Sequence, residues 1–157
     1  MPPTKSVLFV CTGNTCRSPM AEGLFRNAMS GRDDIEVGSA GVFASKGGRA
    51  SRETLLTLRK RNIALESFRS RPVSESLIRS ATHVFAMTEG HLAHLEERFP
   101  DHSSKFYLLR EFAPSQEKRV LKDVPDPIGM GLDAYEEVAE VIESALPSLI
   151  AYVEAVG

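Results

Sequence analysis

The sequence is short of cysteine, of net charge and of long apolar runs, and each shortage removes a class of protein. Only two cysteines occur in 157 residues, Cys11 and Cys16. Two thiols five positions apart do not build a disulfide framework, and they are too few for a cysteine-based zinc site; no metal site is expected. Nineteen basic residues against 21 acidic ones leave a formal charge of −2. That balance argues against a nucleic-acid binder working through bulk charge, while a local basic pocket stays compatible with it. The apolar run near the start, Val7-Leu8-Phe9-Val10, is too brief for the core of a signal segment or for a membrane span. A cytoplasmic protein with no membrane partner is expected, and in a reducing cytoplasm cysteines serve chemistry more often than cross-linking. Repeats, low-complexity tracts and interdomain linkers are also missing, which leaves a single domain over residues 1–157 as the expectation.

What is present is an ordinary globular composition, 42% apolar and 25% charged. A chain of this length removes roughly 70% of its unfolded surface on folding, so it can build a real core without staples. Ser6 to Val10 is a β-branched and aromatic run of the kind found in strands buried on both faces. A polar turn follows, Cys11-Thr12-Gly13-Asn14-Thr15-Cys16-Arg17, and Ser18-Pro19 then reads as a helix cap with proline at the first helical position. Met20, Ala21, Leu24, Phe25, Ala28 and Met29 keep helical spacing to about Ser30. A short strand over Ile35 to Gly38 enters Ser39-Ala40-Gly41, and Ser51 to Asn62 reads as a basic amphipathic helix. His83 to Met87 is a third strand, Thr88 caps a helix from Glu89 to Arg98, and Phe106 to Leu109 is a fourth strand. A proline-rich loop from Lys122 to Pro127 precedes a last helix from about Asp133. Its apolar stripe is Val138, Ile142, Leu146, Leu149 and Val153, with Pro147 expected to kink or split it. Strands alternating with helices give an α/β three-layer sandwich around a four-stranded, mainly parallel sheet, whose ligands bind beyond the carboxyl ends of the strands.

The loop after the first strand sits at such an end. Cys11 and Arg17 are separated by five residues in the order strand, loop, helix. A loop of that length can curl its backbone N–H groups inward, making a nest for an anion at the positive end of the next helix. Arg17 adds a planar fork suited to two phosphate oxygens. Cys11 would lie on the floor of that cup, where the same donors favour its thiolate; a free thiol with a pKa near 8.5 is mostly protonated at neutrality. Ser18 can donate a further hydrogen bond to the sulfur. Gly13 and Asn14 are the residue types that tolerate the left-handed backbone an inward curl requires. The bland alternative is a buried strand-end cysteine followed by an exposed arginine, and the buried strand, the Gly-Asn turn and the Ser-Pro helix start weigh against it.

The stretch from Val10 to Glu22, VCTGNTCRSPMAE, resembles the phosphate-binding loop of the low-molecular-weight protein-tyrosine phosphatase family. The resemblance continues through Ser39-Ala40-Gly41, Met87-Thr88 and Asp126-Pro127. It implies that Cys11 is the nucleophile forming a cysteinyl phosphate, and that Arg17 and the N–H groups from Thr12 through Gly13, Asn14, Thr15 and Cys16 hold the transferring group. Asp126 would be the general acid and then the base; by spacing alone Asp123 is an equal candidate. Asn14 would brace the loop and Ser18 would assist the thiolate. Phosphorylated proteins are the implied partners, with phosphate as product or inhibitor and no cofactor.

Two departures from the tyrosine-specific pattern bear on the substrate. Those relatives carry a branched aliphatic residue where this chain has Thr15, and aromatic residues where it has Ser45 and Ile128-Gly129. Thr15 and the stretch Ser39 to Ser45 are instead similar to the protein-arginine phosphatase branch, with phosphotyrosine as the alternative substrate. Arsenate reduction would need further cysteines, and none follow Cys16. A thioredoxin-like centre would need a shorter cysteine spacing, and a non-catalytic phosphate-binding module would not need Cys11 or Asp126. Cys16 reads either as a partner that traps Cys11 in a disulfide under oxidant or as a small buried space-filler. His91 and His94 read as a solvated helix face rather than metal ligands, and Arg59-Lys60-Arg61, Arg69, Arg71 and Arg79 as scattered surface charge.

Overall fold

The computed structural model describes residues 4–114 and 123–155. Its elements are β1 (Lys5–Cys11), α1 (Arg17–Ala28), β2 (Ile35–Gly41), α2 (Arg52–Arg59), α3 (Glu75–Ser80), β3 (His83–Ala86), α4 (Glu89–Arg98), β4 (Phe106–Leu108) and α5 (Leu132–Ala155). Short 3-10 turns over Pro100–Lys105 and Leu109–Phe112 flank β4. The strands form one sheet in the order β2-β1-β3-β4, with every pairing parallel. The sheet is therefore wholly, not mainly, parallel among the described residues.

Successive residues of a strand point to opposite faces, and β1 shows what that does here. Val7 and Phe9 join Met20, Phe25, Leu58, Ile142 and Leu149 on the side of α1, α2 and α5. Leu8 and Val10 join Ile78, Val84 and Leu95 on the side of α3 and α4. Both faces of β1 are buried, which is why its sequence runs apolar without alternation. The last helix buries Val138, Ile142, Leu146, Leu149 and Val153, the stripe that its spacing marks.

Several boundaries differ from the sequence reading, each for a local reason. The helix α1 starts at Arg17, with Cys16 in the cap position and no side-chain cap, so Ser18 does not cap it. The Ser18 hydroxyl is engaged with Cys11 instead, and Pro19 is the third helical residue, inside the first turn where a backbone N–H has no intrahelical partner to lose. The helix α2 stops at Arg59 because the chain reverses through Asn62 at φ 62°. There Ile63 N–H bonds to the Leu58 carbonyl and Asn62 N–H to that of Arg59, the paired closure that left-handed Asn permits. Pro147 lies within a continuous α5 and does not split it. The six-residue α3, capped by Ser74, has no counterpart in the sequence reading, because a turn and a half is too short to show a period. Lys122, the first residue of the proline-rich loop, lies outside the described residues.

The chain leaves β1 toward β2 on one side and returns past it to β3 on the other. That reversal opens a crevice at the carboxyl end of β1, where Cys11 pairs in register with Gly41 and Val10 with Ala86.

Candidate active site

The loop from Cys11 to Arg17 keeps its shape through one buried side chain. Asn14 is fully buried at φ 56°, the left-handed conformation, whereas Gly13 does not use that region. The Asn14 Oδ1 accepts from Arg71 N–H at 3.0 Å, and its Nδ2 donates to Ser18 Oγ at 2.8 Å and Ser39 Oγ at 3.0 Å. Ser39 in turn donates to Glu22 Oε1 at 2.6 Å, and the other oxygen of this buried carboxylate pairs with Arg26 at 2.8 Å. A carboxylate only accepts, so the directions from Glu22 through Ser39 and Asn14 to the Ser18 oxygen are set. Ser18 Oγ accepts from Asn14 and keeps its own hydrogen, with the Cys11 sulfur 2.9 Å away and the Ala40 carbonyl 3.5 Å away; a Cys11 thiolate, which can only accept, takes it. The backbone beneath is clamped as well: Val42 N–H bonds to the Cys11 carbonyl at 2.9 Å and Phe43 N–H to that of Thr12 at 3.0 Å. Gly41 permits this approach, since a Cβ there would collide with the Thr12 carbonyl and the Asn14 nitrogen.

The two candidate carboxylates are placed differently. Asp126 Oδ2 stands 3.8 Å from Arg17 Nη2, its side chain half exposed, with Oδ1 accepting from Ile128 N–H at 3.1 Å. Asp123 instead accepts from Glu89 N–H at 2.7 Å, at the start of α4, and its carbonyl takes a bond from Arg110 at 3.1 Å. The buried Arg17 guanidinium donates to the Val124 carbonyl at 3.1 Å, so it ties the Asp126 loop to the loop of Cys11. Val124 N–H completes the attachment by bonding to the Met87 carbonyl at 2.8 Å, just beyond β3.

Cys11 and Cys16 are both buried free thiols. Cys16 lies 3.5 Å from the Tyr135 hydroxyl, and burial, followed by that sulfur contact, pushes the phenol up to about 12. The Thr15 hydroxyl lies 3.7 Å from the Cys16 sulfur, and the Thr15 carbonyl accepts from Ser51 N–H at 2.8 Å.

Two residues at the site have roles that sequence reasoning missed. His91 is not on a solvated face: it is 6% exposed and shares a 2.8 Å hydrogen bond, Nε2 to Oγ1, with Thr12. Burial first, then Arg17, brings its pKa down to about 4, with Asp123 and Asp126 opposing and His94 adding, so the ring is neutral at pH 7. Phe43, 74% exposed, sets its ring edge-on to His94 at 5.3 Å. It is an aromatic surface beside the loop even though Ser45 and Ile128 supply none. Its place right after Ser39-Ala40-Gly41-Val42 was the available signal. Of the basic residues read as scattered charge, Arg61 pairs with Glu136 and Glu143, Arg59 with Glu66 and Arg79 with Glu75.

The arrangement can seat a tetrahedral anion against the Cys11 sulfur, with the Asp126 carboxyl on the solvent side and the Arg17 guanidinium between. Known proteins carry the same plan. Residues 6–156 match the family described as low molecular weight phosphotyrosine protein phosphatase. A protein-arginine-phosphatase of Geobacillus stearothermophilus is 38% identical over 143 residues, covering 91% of this chain and 92% of that one. A low molecular weight protein-tyrosine-phosphatase of Streptomyces coelicolor is 36% identical over 156 residues, covering 96% and 94%. A solved YwlE arginine phosphatase variant with a phosphorylated active-site serine superposes with a TM-score of 0.86 at 36% identity, covering 95% of each chain. With the motif, the parallel sheet and the likeness extending over nearly the whole length, the chain belongs to the low molecular weight phosphotyrosine protein phosphatase family.

Proposed function

We propose that the chain is a cysteine-dependent protein phosphatase that hydrolyses phosphoarginine through a cysteinyl-phosphate intermediate. The observation that carries the mechanism is the directed chain from Glu22 through Ser39, Asn14 and Ser18, which presents a donor to the Cys11 sulfur at 2.9 Å. In the first step the Cys11 thiolate attacks phosphorus. An S–P bond forms, the P–N bond breaks with its electron pair staying on nitrogen, and a protonated Asp126 gives its proton to that departing nitrogen, so that arginine leaves with its guanidinium cation and Asp126 is left as a carboxylate. In the second step the Asp126 carboxylate takes a proton from water as that water attacks phosphorus. The S–P bond breaks, phosphate leaves, and the thiolate is restored. Arg17 and the backbone N–H groups of Thr12, Gly13, Asn14, Thr15 and Cys16 hold the three equatorial oxygens in both steps. The phosphorylated serine of the similar YwlE variant is the product expected when a weaker nucleophile takes the phosphoryl group and cannot pass it on.

Phosphoarginine is favoured over phosphotyrosine by Thr15, small and polar beside the cup, and by the lack of an aromatic pair after Asp126-Pro127. A guanidinium head also suits Asp126, whose protonated carboxyl can accept an N–H of that head on one oxygen while it supplies the proton from the other. The phosphotyrosine reading has one observation in its favour, the exposed Phe43 ring, which a phenyl group could stack on for about 0.5–1.5 kcal/mol. Phosphorylated cytoplasmic proteins are the substrates this reading requires; among the described residues no helix is long and apolar enough to cross a membrane.

Rapid acid quench of a single turnover, followed by peptide mass spectrometry, tests the mechanism. The expected result is one phosphoryl group on the peptide carrying Cys11, with phosphate release abolished in Cys11→Ser. Phosphate release by Cys11→Ser at the wild-type rate would overturn it.

A further inference from the structure

Resting on the reading of the Cys11–Arg17 loop as the phosphate site, we propose that His91 is a positioning residue for the reaction: its buried imidazole holds the Thr12 hydroxyl, and through it the first peptide of the loop, in register with the loop that carries Asp126.

Thr12 follows the nucleophile directly, and its N–H is the first of the ring that would face the phosphoryl group. Its side chain is exposed, so packing does not fix it. On the β2 side the peptides around Cys11 are clamped by Val42 N–H and Phe43 N–H. On the β3 side Met87 N–H bonds to the Val10 carbonyl at 3.0 Å, ahead of Cys11, and Thr12 itself is held by the 2.8 Å bond to His91 Nε2. His91 stands in the first turn of α4, where Thr88 Oγ1 accepts its backbone N–H at 3.1 Å. The same turn grips the other loop, because Glu89 N–H bonds to Asp123 Oδ1 at 2.7 Å. One turn of helix thus holds the loop of the nucleophile by His91 and the loop of the acid by its backbone.

A residue that merely filled this space would not be histidine. The side chain is 6% exposed and its Nδ1 has no partner, a desolvation cost that a phenyl or isobutyl group would avoid. The return on that cost is the Nε2 contact to Thr12. The ring acts through Thr12 rather than on the reacting atoms, which makes it a positioning and not a catalytic residue.

The test compares His91→Phe, His91→Gln and Thr12→Val, alone and with His91→Phe and Thr12→Val combined. Each is read by its inhibition constant for inorganic phosphate and its kcat/KM for a phosphorylated substrate. His91→Phe should weaken phosphate inhibition and lower kcat/KM together by roughly three- to tenfold, the worth of one hydrogen bond. His91→Gln, whose amide nitrogen reaches the place of Nε2, should stay within roughly twofold of wild type. Thr12→Val should match His91→Phe, and the double variant should be no worse than either. Unchanged phosphate inhibition in His91→Phe, or additive losses in the double variant, would overturn the proposal. Should His91→Phe not fold, Thr12→Val and His91→Gln decide it: an unaffected Thr12→Val, or a His91→Gln as impaired as Thr12→Val, overturns it too. Cys11→Ser separates the two readings. A Cys11→Ser protein that still turns over removes the phosphatase mechanism, whereas a dead Cys11→Ser beside an unaffected His91→Phe removes only the role of His91.

Discussion

A side chain that can only accept hydrogen bonds fixes the sense of the bonds behind it, and Glu22 does this through Ser39 and Asn14 as far as the Ser18 oxygen. Ser39 must donate to it, Asn14 must donate to Ser39 and Ser18, and Ser18 keeps a hydrogen that a Cys11 thiolate at 2.9 Å accepts ahead of the Ala40 carbonyl at 3.5 Å. A hydrogen bond to a charged group contributes about 1.5–3 kcal/mol, so Ser18→Ala should lower kcat by roughly ten- to a hundredfold, with a smaller change in KM. Steady-state kinetics on any phosphorylated substrate would show it, and a change confined to KM would refute the role. The two loop carboxylates divide in the same way. Asp126→Asn should cost kcat roughly a hundredfold or more, as loss of a general acid does. Asp123→Asn should cost far less, because an amide oxygen can still accept the Glu89 N–H. Equal losses in the two variants would mean that the acid is wrongly assigned.

At the scale of elements, the site is made where the segments that follow β1, β2 and β3 meet the loop that carries Asp126. Gly41 is the point of closest approach between β2 and the Cys11 loop. Gly41→Ala should therefore distort the phosphate cup, and the expected result is at least a tenfold rise in the inhibition constant for inorganic phosphate. A variant that binds phosphate normally would show that the loop can yield at this point. Much of this was legible in the sequence. The run Val7 to Val10 declares a strand buried on both faces, and the spacing of Cys11 and Arg17 between strand and helix declares the anion loop. The identity of Asn14 announces its left-handed turn, and Thr88 its cap. What was not legible depends on contacts between distant segments. Ser18 reads both as a helix cap and as a donor to Cys11, and only the contact between them shows that the second role holds and the first does not. His91 reads as solvated until Thr12 is laid against it, 79 residues away in sequence. The short α3 leaves no period to read, and the choice between Asp123 and Asp126 needs to know which of them reaches the start of α4.

Across the whole molecule, two buried histidines make the fold sensitive to acid. Burial, and secondarily Lys5, lowers His83, and burial with Arg17 brings His91 down to about 4, both from the ordinary 6.5. Between those values the unfolded chain binds protons that the folded chain refuses. Stability is therefore full above about pH 6.5 and is lost as pH falls toward 4. Urea midpoints taken between pH 7 and 5 should fall in wild type and fall less in His91→Gln, which carries no proton to gain; identical slopes would contradict the account. The charge balance and the apolar core leave specificity to the few side chains around the site, where Thr15 departs from the tyrosine-specific pattern beside Ser45 and Ile128-Gly129. The central claim is therefore tested most directly by one ratio: kcat/KM on a phosphoarginine peptide over kcat/KM on a phosphotyrosine peptide of the same sequence, in wild type and in Thr15→Ile. The account predicts a ratio above one in wild type that falls, by roughly tenfold, when the aliphatic side chain fills the space of Thr15. A wild-type ratio below one that Thr15→Ile leaves unchanged would contradict it.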